Sequence, residues 1–223
     1  MSVNKYGNFL TIILIALVVL ILTGGGFLVY RYIIKPNNDR NQKIEAIAEF
    51  DKEIEEKNKG NEKKQEEETM LEDVGDVDKE FTGVVRTKQT YKGFVMLGYI
   101  TIPKTNVKQP ILDQVTPDSL NAAVATLYPS NPQLNKPGNV VIVGHNYRNG
   151  KFFSDNNKLS IGDKINIKDN TWTELTYTIY QKFQTTEQDT SFYTRDTKGV
   201  PEITLSTCTD DSKARIIILA KAV

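Results

Sequence analysis

The sequence is poor in the residues that usually carry chemistry. Its 223 residues hold one cysteine, one histidine, one tryptophan and three methionines. A lone cysteine, Cys208, excludes an intramolecular disulfide and a cysteine-rich zinc site. No clustered Lys/Arg run tracks a phosphate backbone, so nucleic acid is not an expected partner. No charge interrupts Phe9 to Tyr30, and no internal repeat is present. The formal net charge is zero only because the charges are segregated. Residues 37–80 hold 16 acidic against 8 basic residues, a balance of −8, and residues 81–223 hold 17 basic against 12 acidic, a balance of +5. Lys5, Arg31 and Lys35 make up the remaining +3.

Phe9 to Tyr30 is a run of Ile, Leu, Val, Ala and Phe broken only by Thr11 and Thr23-Gly24-Gly25-Gly26. It is long enough to span a ~30 Å hydrocarbon layer as a helix. It is too long for the apolar core of a signal peptide, and no Ala-x-Ala-like site or lipid-accepting cysteine follows it. The expectation is an uncleaved anchor at 9–30 with a cytoplasmic N-terminus at 1–8. Lys5 and the amino terminus oppose Arg31 and Lys35, so the positive-inside rule does not fix the orientation; an external C-terminal domain is the economical reading. Residues 31–80 are Glu/Lys-rich and read as a charged, partly helical spacer. Within it, Ile44, Ile47, Phe50 or Asp51, and Ile54 recur at helical spacing, which suits a short helix docking on a domain or pairing with a second copy. The composition favours a solvated stalk instead.

From Phe81 to Val223 the pattern turns to short strands with turn signals, an all-β barrel or sandwich. Gly98 to Pro103 and Val107 to Leu112 form a strand pair, with Pro110 at an edge or bulge. Ser119 to Leu127 reads as a helix, with Thr116, Asp118 or Ser119 as N-cap candidates. Asn139 to Val143 is a buried strand leading into Gly144-His145-Asn146. Lys164 to Lys168 and Leu175 to Phe183 are strands joined by a hairpin turn at Asp169-Asn170, and Gln184 to Val200 is a polar connector. Ile203 to Thr207 and Ile216 to Ala220 are the last two strands, joined by the polar loop Thr209 to Lys213.

Taken singly, Cys208 reads as a small buried hydrophobe, His145 as a hydrogen-bonded strand-end histidine and Arg215 as a paired surface charge. Together, the sole cysteine and sole histidine each follow a buried strand and the arginine opens the next one. A rigid scaffold thus presents all three at a rim, an arrangement suited to a thiol nucleophile.

These residues resemble a known family. Thr204-Leu205-Ser206-Thr207-Cys208, with Arg215 on the following strand, is similar to the TLxTC…R signature of the sortases. Gly144-His145-Asn146 resembles their catalytic-histidine segment, and Gly98 to Pro103 resembles their first barrel strand. The likeness runs from about Phe81 to Val223, and the anchor and spacer match the usual sortase layout. It implies a mainly β fold, an eight-stranded barrel with short helices, held outside the membrane of a Gram-positive bacterium. It also implies a cysteine transpeptidase with Cys208 as nucleophile, His145 as general acid and base, and Arg215 holding the substrate carbonyl or oxyanion. Thr207, beside the nucleophile, is a weaker candidate for substrate binding. The implied partners are surface proteins carrying a C-terminal LPxTG-like sorting motif, and an amine from the lipid II cross-bridge or from a pilin lysine.

Around Cys208 the string is similar to class B sortases, yet the connector from Gln184 to Val200 is short for the extra class B helix. No Asp-Pro-aromatic lid motif precedes the domain and no hydrophobic tail follows it, which favours a housekeeping or accessory role of class D/E type over pilus polymerisation. Some sortases bind calcium, and Asp113, Asp118, Glu187 and Asp189 are available by position, but as solvated loop carboxylates they lead us to assign no metal or other cofactor. An L,D-transpeptidase would place a histidine where Ser206 stands, and papain-like hydrolases place the cysteine before the histidine. A non-enzymatic surface module would leave the coincidence of Cys208, His145 and Arg215 unexplained.

Overall fold

The computed structural model describes residues 3–69 and 89–223, with side chains described for 9–36, 38–53 and 89–223. The expected domain start at Phe81 and the side chain of Ile54 therefore lie outside the described residues. The chain divides into two compact units, Met1–Glu45 and Ala46–Val223.

The first unit holds helix α1 (Val3–Val29), a π-helical turn at Tyr30–Ile34 and the start of helix α2 (Lys35–Thr69). Every side chain from Phe9 to Val29 is exposed. At 1.5 Å per residue, α1 is about 40 Å long, enough to cross a membrane. Its polar Thr23 is satisfied within the helix, donating to the carbonyl of Val19 at 2.8 Å.

The second unit is a closed β-barrel. A two-residue strand β1 (Thr90–Tyr91) is added to the outside of β2 (Phe94–Ile102). The barrel continues with β3 (Val107–Leu112), β4 (Val124–Tyr128), β5 (Gly138–Val143), β6 (Lys164–Asp169), β7 (Glu174–Thr185), β8 (Pro201–Cys208) and β9 (Arg215–Ala222). Its spatial order is β2-β3-β4-β5-β8-β9-β7-β6, and β6 pairs back onto β2 to close eight strands. At that closure Gly98 faces Asp169, and a Cβ on Gly98 would lie 2.2 Å from the Lys168 carbonyl, so only glycine fits. Pro110 lies in the part of β3 that pairs with β2 alone, an edge position where its missing N–H does no harm.

Alternate residues fill the interior: Ile100 and Ile102, Val140 and Ile142, Ile203 and Leu205, and Ile216, Ile218 and Ala220. Val141, Ile217 and Leu219 face outward instead, beneath Phe192 and Tyr193 of the connector between β7 and β8. Both faces are covered here, which is why these strands read as unbroken apolar runs.

Two stretches depart from the sequence reading. Ser119 to Leu127 is not one helix. A short helix α3 (Pro117–Ala122), capped reciprocally by Thr116 and Ser119, gives way to β4. Val124 pairs with Ile111 of β3, Ala125 pairs with Leu112, and Thr126 donates its hydroxyl to the Leu112 carbonyl, so sheet pairing overrides the helical preference of Ala125 and ends the helix at Ala122. The second departure is in α2. Phe50 is 0% and Ile47 3% exposed, packed with Met96, Tyr99 and Leu112. Phe50 meets the Tyr99 ring edge-on at 6.0 Å, and Asp51 accepts from Lys168 Nζ at 2.8 Å. Part of the supposedly solvated stretch is thus docked on the barrel.

Candidate active site

Cys208 ends β8, Arg215 opens β9, and the two face each other in antiparallel register. β5 runs parallel to β8 with Val143 opposite Ser206, and the Gly144 amide donates to the Ser206 carbonyl at 3.2 Å. Carrying that register two residues further brings His145 level with Cys208. Side-chain alternation then decides direction. Val141 and Ile217 face outward, so His145 and Arg215, of the same parity, do too. Ile203 and Leu205 face inward, which turns Cys208 outward. The three candidate residues share one face at one end of the sheet.

Local packing fixes each of them. A Cβ on Gly144 would fall 2.8 Å from Phe153 and 2.9 Å from Val124, so the residue before His145 has no room for a side chain. The Phe153 amide donates to the His145 carbonyl at 3.2 Å. His145 lies against Tyr147 with ring centroids 4.8 Å apart, and burial lowers the imidazole pKa from its ordinary 6.5. Cys208 is a free, partly exposed thiol. Arg215 pairs with Glu187 of the connector at 3.0 Å, the arginine being 24% exposed and the glutamate 66%. Tyr193, also on the connector, has its phenol pushed up by burial while the positive charge of Arg215 pulls it back.

Thr207 sits on the interior side, 3% exposed, and donates its hydroxyl to the Gly144 carbonyl at 2.7 Å. Its side chain therefore ties β8 to the segment carrying His145, and only its backbone is level with the site. Of the carboxylates considered for calcium, Glu187 is committed to Arg215 and Asp189 accepts from Thr185 and Ser191. Among the described residues, no group of three or more His, Cys, Asp or Glu side chains is placed to hold a metal.

Sequence reasoning passed over Asn146 and Asp210. Asn146 Nδ2 donates to the Cys208 carbonyl at 3.0 Å and to Asp210 Oδ1 at 2.8 Å. The only hint in the sequence was an amide next to the histidine and a carboxylate two residues past the cysteine. At the opposite end of the outward face, a cavity of about 490 Å³ is lined by Tyr128, Pro129, Asn139, Tyr193 and Arg195.

A family model described as the Sortase domain matches residues 100–223, more than half of the chain. Among solved structures, sortase C1 of GBS pilus island 1 aligns with a TM-score of 0.52 and 22% identity over 57% of this chain. This chain spans only 64% of that one. A lid mutant of sortase A from Corynebacterium diphtheriae aligns with a TM-score of 0.53 and 24% identity, covering 58% of this chain and 71% of that one. Sortase C-1 from Actinomyces oris gives 0.51 and 24%, over 56% and 73% respectively. At these identities the likeness is one of fold. No curated protein matches the sequence.

Proposed function

Since the chain belongs to the sortase family, we propose that it is a membrane-anchored cysteine transpeptidase that cleaves an LPxTG-like sorting motif between Thr and Gly and transfers the acyl part to a cell-wall amine. The observation that carries this reading is the common outward face of Cys208, His145 and Arg215 at adjoining strand ends. In the proposed reaction the Cys208 thiolate attacks the threonine carbonyl carbon, forming an S–C bond and a tetrahedral oxyanion. Arg215, permanently charged and able to donate two parallel hydrogen bonds, stabilises that oxygen or holds a neighbouring carbonyl. As the C–N bond breaks, protonated His145 gives its proton to the leaving glycine amine, and a thioacyl-enzyme remains. An incoming amine then attacks the thioester, His145 takes up its proton, and the S–C bond breaks to return the thiolate.

In this reading Glu187 leaves Arg215 when substrate arrives. Its high exposure makes the pair weak enough to exchange. Thr207 acts by position, through its bond to Gly144. The anchor, α1, holds the protein in the membrane of a Gram-positive cell with the barrel outside, and no metal enters the chemistry.

The test uses the full-length chain in detergent micelles with peptides carrying LPxTG-like motifs. Oligoglycine, diaminopimelate-containing and lysine amines serve as acceptors, and products are read by mass spectrometry. The expected result is a product cut after Thr and joined to one amine, absent with Cys208→Ala and equal in EDTA and in calcium. A lysine acceptor used in preference to the others would move the role to pilin polymerisation. An inert peptide panel, with Cys208 unreactive to alkylation as well, would overturn the enzyme reading.

A further inference from the structure

The loop that follows His145 and the loop that follows Cys208 are joined by four side-chain hydrogen bonds. Asn146 Nδ2 donates to the Cys208 carbonyl at 3.0 Å and to Asp210 Oδ1 at 2.8 Å. Asn157 Nδ2 reaches the other carboxylate oxygen, Asp210 Oδ2, at 3.3 Å, and Arg148 donates to the Ser212 hydroxyl at 2.9 Å. Asn146 is the centre of this seam. Both of its amide hydrogens are used across it, while its Oδ1 accepts from the Arg148 amide at 3.0 Å and so shapes its own loop. It is also covalently next to His145 and bonded to the peptide group of Cys208 itself.

We propose that Asn146 is a positioning residue that holds the His145 loop against the end of β8 through the Cys208 carbonyl and Asp210. The inference rests on reading Cys208 and His145 as the reacting pair. Among the described residues, the bond from Asn146 is the side-chain hydrogen bond that joins the residue next to His145 to the Cys208 backbone. The backbone register between β5 and β8 ends at Gly144, and the Thr207 hydroxyl reaches only that glycine. Beyond it, residues 147–150 and 210–213 are exposed, and the side-chain bonds of the seam are what join the two loops across the site. Proton transfer between an imidazole and a sulfur or leaving amine depends steeply on such a separation. The amide is also specific to the place. An aspartate at 146 would face two acceptors, the Cys208 carbonyl and the Asp210 carboxylate, with no hydrogen to give either of them.

The test compares the full-length wild type in detergent with Asn146→Ala, Asn146→Asp and the double variant Asn146→Asp with Asp210→Asn. Two readouts are taken. The first is kcat and KM on the LPxTG-like peptide. The second needs no substrate: because His145 is the only histidine, its titration is followed by NMR on histidine-labelled protein before and after Cys208 is alkylated with iodoacetamide. The proposal predicts a kcat lower by on the order of 10- to 100-fold in Asn146→Ala with KM little changed. It predicts that the response of His145 to alkylation is at least halved in Asn146→Ala and Asn146→Asp. The double variant, which restores a donor–acceptor pair between 146 and 210 but leaves the Cys208 carbonyl without its donor, recovers only part of both. If Asn146→Ala folds with the wild-type melting temperature and keeps full kcat and the full His145 response, the proposal is wrong. It is equally wrong if His145 in the wild type does not respond to alkylation of Cys208. If no form cuts peptide, the transpeptidase reading fails, and the His145 response still decides whether Asn146 holds the pair.

Discussion

Gly144 has Phe153 and Val124 where a side chain would begin, and His145 inherits its position from that close fit. Gly144→Ala must push the phenylalanine or the strand end by several tenths of an ångström. It is predicted to destabilise the barrel by about 1–3 kcal/mol and to lower turnover more than substrate binding. Urea unfolding and a kcat/KM split check both parts, and unchanged kcat would show that His145 does not depend on this contact. His145 itself carries a pH signature. Burial holds its folded pKa below 6.5. Between 6.5 and the lower folded value the unfolded chain binds the proton first, so stability falls as pH drops through that window and is level on either side. Histidine NMR and unfolding across the window read the two sides of the same linkage. A midpoint at or above 6.5 would contradict the burial seen here.

At the scale of elements, the docked turn of α2 is the contact that composition hid. Phe50→Ala removes a fully buried ring from the layer over Met96, Tyr99 and Leu112. The expected loss is about 3–5 kcal/mol in urea unfolding. Ile44→Ala, at a residue 57% exposed, is expected to change stability by less than about 0.5 kcal/mol. Equal effects at the two positions would mean that the turn does not dock. Ile44, Ile47, Phe50 and Ile54 mark one narrow stripe in a stretch otherwise dominated by Glu and Lys, a signal that does not tell a docked helix from a solvated one. β4 was hidden for a different reason. The run Ala122-Ala123-Val124-Ala125 continues the helical composition of α3, and only pairing with β3 and β5 turns the chain into a strand from Val124. The strands next to His145 and Arg215 were legible because a sheet covered on both faces leaves unbroken apolar runs, and the strand ending in Cys208 because Ile203 and Leu205 alternate with Thr204 and Ser206. Their shared outward face was not. It needs the register, which only the closed barrel supplies. Asn146 and Asp210 were beyond reach too, because polar loop residues carry no periodic signal that says what they bond to.

At the scale of the molecule, an apolar helix long enough to cross a membrane precedes a closed barrel. The barrel brings its thiol, its imidazole and the Arg215 guanidinium to one end of a single face. The claim that these three groups form an acyl-transfer site is tested most directly by catching the intermediate. Full-length protein in detergent would be mixed with an LPxTG-like peptide without any amine acceptor, and its intact mass followed over time. The account predicts an adduct of the peptide's acyl part on Cys208. It should discharge when an amine is added and be absent in Cys208→Ala. In His145→Ala and Arg215→Ala it should form more slowly by on the order of 100-fold or more. Contradiction would be a Cys208 that alkylates readily yet takes up no acyl group from any motif, or an adduct that forms at the wild-type rate without His145 and Arg215.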